Sequence, residues 1–115
     1  MILYRQVWTS ELELIEKSNY TEFPSRLQEQ PIFYPVLNCE YACEIAEKWN
    51  VKRESDCKGY VTEFEVDDEY CSQFEVHTVG NRNHQELLIP AYELDNFNSH
   101  IIGKIKVVYE FSEVY

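Results

Sequence analysis

Apolar and polar residues alternate in three long segments of the chain, which is typical of strands that bury one face. The first strand is predicted over Met1 to Val7, the second over Gly59 to Val66 and the third over Lys104 to Phe111. The expected buried face of the second strand consists of Tyr60, Thr62, Phe64 and Val66. The third strand is expected to place on one face Ile105, Val107, Tyr109 and Phe111. These segments form the framework of the predicted sheet.

Helical periodicity marks three further segments. A Ser-Glu-Leu-Glu sequence with the spacing of a capping box predicts a helix from Ser10 to Ser18. Asn38 is a predicted N-cap for a helix that ends near Trp49, and Ala91 to His100 is predicted as a third helix ended by Gly103. The expected inward positions are Ala42, Ile45, Ala46 and Trp49 in the second helix, and Leu94, Phe97 and Ile101 around the third.

Shorter apolar segments complete the pattern. Ile32 to Tyr34 lies between two prolines, and Gln73 to Val79 and Glu86 to Ile89 flank a turn-forming Gly-Asn-Arg-Asn sequence. Asn19 to Gln30 has no clean period and predicts a surface loop. With no internal repeat or linker, residues 1–115 are predicted to form one α+β domain.

Composition narrows the class of protein. The chain has 115 residues, of which 44% are hydrophobic, so it can bury a core. Its formal net charge of −11 disfavours non-specific binding to nucleic acid or to anionic membrane surfaces. No apolar run is long enough to span a bilayer and no signal peptide is recognised, so we expect a cytoplasmic protein.

The cysteines and the acidic run at residues 67–69 are weak candidates for metal sites. Cys39 and Cys43 have the i, i+4 spacing of two ligands on a helix, but Cys57 and Cys71 do not supply a second closely spaced pair. The run Asp67-Asp68-Glu69 lacks the alternation and glycine of a calcium loop. We expect free thiols, a solvated turn and no metal.

Three segments together resemble a known family. They are Tyr4-Arg5 in the first strand, Ile32-Phe33-Tyr34 before the second helix, and the sequence from His84 to Pro90. On these residues the chain resembles, over nearly its whole length, the small bacterial proteins labelled ADP-ribosylation/crystallin J1. The order of elements is similar to that of compact ADP-ribosyltransferase domains.

The resemblance implies an ADP-ribosyltransferase-like α+β fold, in which two short, mostly antiparallel sheets form a cleft with two to three helices. It also implies an enzyme that binds NAD as substrate and transfers ADP-ribose to an unknown acceptor. Arg5 and Tyr34 would bind NAD, His84 would be a further contact, and Glu86 would be the catalytic carboxylate. A fixed carboxylate suits this chemistry because cleavage of the nicotinamide–ribose bond develops positive charge on the sugar.

The chain departs from the family pattern at two of these positions. His84 stands where arginine-specific transferases usually have Glu or Gln, and Arg5 stands where diphtheria-toxin-like enzymes have His. No Ser-Thr-Ser sequence follows the second strand. The class of acceptor therefore stays open.

Each candidate residue also has a purely structural interpretation. Arg5 could pair with a carboxylate, Tyr34 could be a core aromatic residue, and Glu86 and His84 could be exposed side chains. The rival function is a non-catalytic, acidic interaction module, such as an inhibitor or immunity protein, that docks a basic protein partner. Convergence of Arg5, Tyr34 and Glu86 on one open pocket favours the enzyme, whereas burial or separation of these residues favours the module.

Overall fold

The computed structural model describes residues 1–25, 31–50, 58–80 and 84–112. Its strands are β1 (Ile2–Val7), β2 (Ile32–Phe33), β3 (Lys58–Val66), β4 (Val76–Thr78), β5 (Gln85–Leu87), β6 (Ile89–Pro90) and β7 (Ile101–Ser112). Its α-helices are α1 (Thr9–Lys17), α2 (Cys39–Ile45), α3 (Asp68–Cys71) and α4 (Leu94–Ser99). A π-helical segment, Ala46–Asn50, extends α2, and a 3-10 turn, Ala91–Glu93, precedes α4. The predicted α+β class is confirmed.

The largest sheet has the strand order β1-β3-β7, with both pairs antiparallel. Its strands come from the three segments with the longest alternating pattern. Two small antiparallel pairs, β2-β6 and β4-β5, adjoin it.

Val36 joins these sheets into one surface. It forms antiparallel bridges with Tyr4 of β1 on one side and with Glu86 of β5 on the other. The Tyr4 and Val36 backbones exchange two hydrogen bonds, of 2.9 and 2.8 Å. Since directly opposite residues in antiparallel strands project to the same face, Tyr4, Val36 and Glu86 share one face of the surface.

The opposite face carries the main core, against which α1 and α4 pack. Aromatic rings dominate this core, with tilted or edge-on contacts that link Phe23, Phe33, Phe64, Phe97 and Tyr70. Such geometry is favourable because it brings ring edges against ring faces. Asn98 secures the loop after α1: its side chain accepts a hydrogen bond from the Phe23 N–H (2.9 Å) and donates one to the Phe23 carbonyl (3.0 Å).

The face that bears Tyr4, Val36 and Glu86 is covered in part by α2 and is called the α2 face below. A second, smaller core forms there from Val36, Ala42, Ala46 and Val61. The two alanines are fully buried, so a small side chain lets the helix approach the sheet closely. The N-cap prediction is confirmed, because the Asn38 side chain accepts a hydrogen bond from the Tyr41 N–H at 3.1 Å.

Three local predictions are wrong. Val61 alternates with the residues predicted to be buried, which predicts an exposed position, but it is fully buried because α2 covers that side of the sheet. Gly103 does not end a helix: it lies within β7 at a register irregularity, with φ of +77°. The Ser10 capping box is not formed, since α1 begins at Thr9 with Trp8 at the N-cap and no side-chain cap hydrogen bond.

A fourth correction concerns the face pattern of β7. Thr62 is opposite Val107 whereas Val61 is opposite Tyr109, so Val108 is an extra residue in a β-bulge. The bulge moves Tyr109 to the face opposite that of Val107.

The predicted loop end at residues 26–30 and the turn at 81–83 lie outside the described residues. Within the described part of the chain, no helix is long and apolar enough to cross a membrane.

Candidate functional site

Arg5 lies on the main-core face and is buried, with 6% of its surface exposed. Its Nε donates to Oε2 of Glu11 at 2.7 Å and its Nη2 donates to Oε1 at 3.0 Å, which makes a two-point ion pair with a residue that is also buried. The guanidinium carbon sits 4.7 Å from the centre of the Phe33 ring, in cation–π geometry. Every visible role of Arg5 is therefore structural.

Tyr34 does not share the burial of Arg5. Its neighbour Phe33 is buried against the guanidinium, whereas Tyr34 itself is exposed by 38%. Glu86 is on the α2 face, opposite to the face that holds Arg5. The structure therefore does not bring Arg5, Tyr34 and Glu86 together in one pocket.

Glu86 and His84 do come together, in a group that we call the His–Glu cluster: Tyr41, Glu44, His77, His84 and Glu86. Glu86 is opposite His77 in the β4-β5 pair, with 3.6 Å between His77 Nδ1 and Glu86 Oε1. His84 Nε2 is 3.1 Å from Glu44 Oε2 on α2. The His84 ring stacks on Tyr41, with 4.2 Å between centroids and 10° between planes. Two imidazole–carboxylate pairs thus flank one tyrosine.

The side chains of the cluster differ in their exposure to solvent. The Glu86 side chain is 14% exposed and that of Glu44 is 47% exposed, while His84 and His77 are 27% and 55% exposed. Partial burial raises the pKa of Tyr41, and the negative charges of Glu86 and then Glu44 raise it further. Tyr41 is therefore a neutral hydroxyl close to two carboxylates at neutral pH.

The same electrostatic character continues across the α2 face. Burial raises the pKa of Tyr4, with an added effect of the Glu63 charge. Burial also raises the pKa of the Cys43 thiol to about 11, helped by its hydrogen bond with Cys39 and by the charges of Glu47 and Glu40. The Cys43 thiol is thus protonated at neutral pH and is not a reactive thiolate.

The carboxylates around this face form a set that is mostly exposed: Glu40, Glu44, Glu47, Glu63, Glu65 and Glu86. Among the described residues, the lysines on or beside this face are Lys48, Lys104 and Lys106. No group of three or more His, Cys, Asp or Glu side chains in the described ranges could hold a metal ion.

Sequence reasoning found two members of the cluster and missed three. His84 and Glu86 were predicted from the sequence between residues 84 and 90. His77 could have been found from the β4-β5 pairing, had its register been known. Tyr41 and Glu44 lie some 40 positions from His84 in sequence, and only the tertiary fold reveals the contact.

Comparison of the chain with protein-family models, with curated proteins and with solved structures finds no significant match.

Proposed function

We propose that this chain is an acidic interaction module whose α2 face binds a basic segment of another protein. The observation that carries the proposal is the composition of that face. Six carboxylates lie on or beside it, with Glu63 near Tyr4 and with Glu44 and Glu86 near Tyr41, and three lysines oppose them within the described residues. The net charge of −11 adds a long-range attraction for cationic partners.

The His–Glu cluster supplies the specific part of such a surface. A guanidinium or ammonium group beside Tyr41 is attracted by the Glu44 and Glu86 carboxylates and by the electron-rich ring face. The stacked His84 ring and its 3.1 Å contact with Glu44 hold the cluster in place. A preorganised acceptor loses less side-chain entropy when it binds than a mobile one.

A second candidate function is ADP-ribosyl transfer from NAD on an ADP-ribosyltransferase-like fold. One observation favours it: the Glu86 carboxylate is largely shielded from solvent, lies beside His77 and is close enough to Tyr41 to raise its pKa. In this proposal Glu86 stabilises the positive charge that develops on the ribose. Tyr41, rather than Tyr34, is then the ring nearest the reacting centre.

Calorimetric titration with an oligo-arginine peptide and, separately, with NAD tests both candidates. For the module we expect saturable binding of the peptide that weakens as salt is added. The double variant Glu44→Gln/Glu86→Gln is expected to bind it about two- to thirtyfold more weakly. Exposed ion pairs contribute about 0.2–1 kcal/mol each, and 1.4 kcal/mol corresponds to tenfold.

The matched control is Glu13→Gln/Glu16→Gln, which makes the same change of net charge on the exposed side of α1. It is expected to bind the peptide like the wild type. Equal weakening in both double variants would mean that net charge alone attracts the peptide, and the α2 face would lose its role. Saturable NAD binding that Glu86→Gln retains, together with turnover that it abolishes, would favour the transferase.

A further inference from the structure

Strand β7 has an open edge. It pairs with β3 on one side, and on the other side the Ile105 N–H donates to the Tyr20 carbonyl at 2.8 Å. Beyond that contact, the backbone groups of residues 106–112 that point away from β3 have no hydrogen-bond partner in the described part of the chain. An unpaired edge of this length is a template for the addition of another strand.

Apolar side chains are concentrated at the same edge. Val107, Val108 and Tyr109 are exposed by 41%, 37% and 51%. Folded proteins usually protect such an edge with charges, proline or a covering segment. In the described segment 106–112 the protective devices are the bulge at Val108 and the charges of Lys106 and Glu110, and the three residues between those charges, Val107 to Tyr109, carry none.

The bulge also gives the edge a self-complementary pattern. Lys106 is opposite Glu63 and Tyr109 is opposite Val61. Glu63 and Val61 are two residues apart in β3 and share the α2 face, so Lys106 and Tyr109 share it too, although three positions separate them. The α2 face of β7 therefore has a lysine half and an aromatic half, the latter with Tyr109 and Phe111 in contact at 6.4 Å between ring centres.

We propose that β7 pairs antiparallel with β7 of a second copy of this chain, about a two-fold axis near Val107 and Val108. An antiparallel two-fold pairing keeps equivalent faces on the same side and brings the lysine half of each strand against the aromatic half of the other. Lys106 then lies beside Tyr109 of the second copy, in a pairing confined to residues 106–109 of each strand because the Tyr20 carbonyl holds the edge at Ile105. Each lysine covers an aromatic ring with its aliphatic stem and places its charge near the ring, in two symmetric sets.

A cavity beside the edge gives room for this contact. It has a volume of about 380 Å³ and is lined by Asn19, Tyr20 and residues 104–107 of β7. The Lys104 ammonium donates to the Asn19 carbonyl at 2.8 Å, which fixes the wall of the cavity. The Tyr109 ring of the second copy, opposite Lys106, would enter at its mouth.

Charge sets the conditions under which the dimer forms. Two chains of −11 repel each other at low ionic strength, and salt screens this repulsion more than it weakens cation–π and apolar contacts at close range. We therefore expect dimerisation to strengthen as salt rises, the opposite of the salt dependence expected for basic peptides at the α2 face.

Sedimentation equilibrium of the full chain from micromolar to millimolar concentration, at about 0.15 M salt, tests the proposal. The wild type is expected to approach the dimer mass. Tyr109→Lys sets lysine against lysine and is expected to raise the dissociation constant about tenfold, since the contact occurs twice. The exchanged variant Lys106→Tyr/Tyr109→Lys restores the pairs and is expected to recover the wild-type constant.

Amide hydrogen exchange locates the interface. Amides in residues 106–109 are expected to become more protected as protein concentration rises, and circular dichroism of each variant controls for folding. A wild type that stays monomeric at millimolar concentration overturns the proposal. A dimer that is unaffected by Tyr109→Lys, with no concentration-dependent protection in β7, also overturns it and assigns the contact to another surface. Neither result bears on the α2-face proposal.

Discussion

Removing the guanidinium of Arg5 is the most informative test of the structure, because the family resemblance implies a role for Arg5 in NAD binding whereas its contacts are those of a buried ion pair. In the structure its side chain is 8% exposed and that of Glu11 is 9% exposed, and two hydrogen bonds join them. Arg5→Ala removes both hydrogen bonds and the contact with the Phe33 ring. It also leaves the Glu11 carboxylate buried without its counter-ion.

The expected cost is large. Loss of one partner of a buried ion pair destabilises a protein by about 3–5 kcal/mol, mainly because the remaining charge is uncompensated. A domain of this size has a total stability of about 5–15 kcal/mol, so Arg5→Ala should lie close to the unfolding threshold. By contrast, Arg5→Met/Glu11→Leu removes both charges and should recover most of that loss, because apolar replacements of buried pairs are often neutral or stabilising.

Urea unfolding followed by circular dichroism measures these differences, with Glu13→Gln, exposed on the same helix, as the control expected to stay within about 0.5 kcal/mol of the wild type. A free energy of unfolding for Arg5→Ala within about 1 kcal/mol of the wild type would refute this role of the ion pair. The same holds if the double replacement is as unstable as the single one. The outcome also decides how NAD titrations are interpreted, since loss of binding in an Arg5→Ala protein that is partly unfolded carries no information about a ligand contact.

Two further perturbations test the packing around the core and β7. Burial, aided by the hydrogen bond to Glu93 (2.8 Å), raises the pKa of Tyr70 well above its ordinary value of 10. The stability that the protonated Tyr70 hydroxyl contributes is fully present below pH 10 and is lost as the pH rises through the folded-state pKa. In urea titrations above pH 10, the free energy of unfolding should therefore fall less steeply with pH for Tyr70→Phe than for the wild type. Identical pH dependence in the two proteins would contradict the raised pKa. Gly103→Ala should cost about 1–2 kcal/mol from the positive φ alone, because no atom of the described residues, other than those of its chain neighbours, lies within 4 Å of the added methyl group. Gly103→Asn should cost less when both variants are compared by thermal unfolding, and an unchanged stability of Gly103→Ala would argue against the positive φ at this position.

The elements that could be predicted from sequence are those in which local pattern and tertiary packing agree. The alternation over β1 and β3 and the Asn38 cap of α2 all appear in the structure. Val61 was not predictable in this way. Period-two alternation assumes that one face of the strand is exposed to solvent, and in β3 the packing of α2 buries part of that face. The bulge at Val108 likewise leaves no signal in a run of apolar residues.

Only part of the candidate site could be predicted from the sequence, because the rest depends on tertiary packing. Arg5 alternates with Leu3 and Val7, both fully buried, so its place on the core face was available from the pattern of β1 itself. The resemblance to a family drew attention to the order of residues along the chain, not to the face on which each one lies. The contacts of His84 with Tyr41 and Glu44 depend on how α2 crosses the sheet, which no local pattern specifies.

A row of opposed residues connects the two proposed surfaces. On the α2 face it runs from the His–Glu cluster through Glu86, Val36, Tyr4 and Glu63 to Lys106 at the β7 edge. The carboxylates of this row lie in the interior of the sheet, and Lys106 lies at its edge. The carboxylates therefore serve the proposed contact with a basic partner, whereas Lys106 serves the proposed contact with a second copy. Because a two-fold axis perpendicular to the sheet leaves both α2 faces on the same side, a dimer formed through β7 would present two acidic faces to one partner. A basic protein with two suitably spaced segments would then bind with avidity, whereas a single short peptide would not distinguish dimer from monomer.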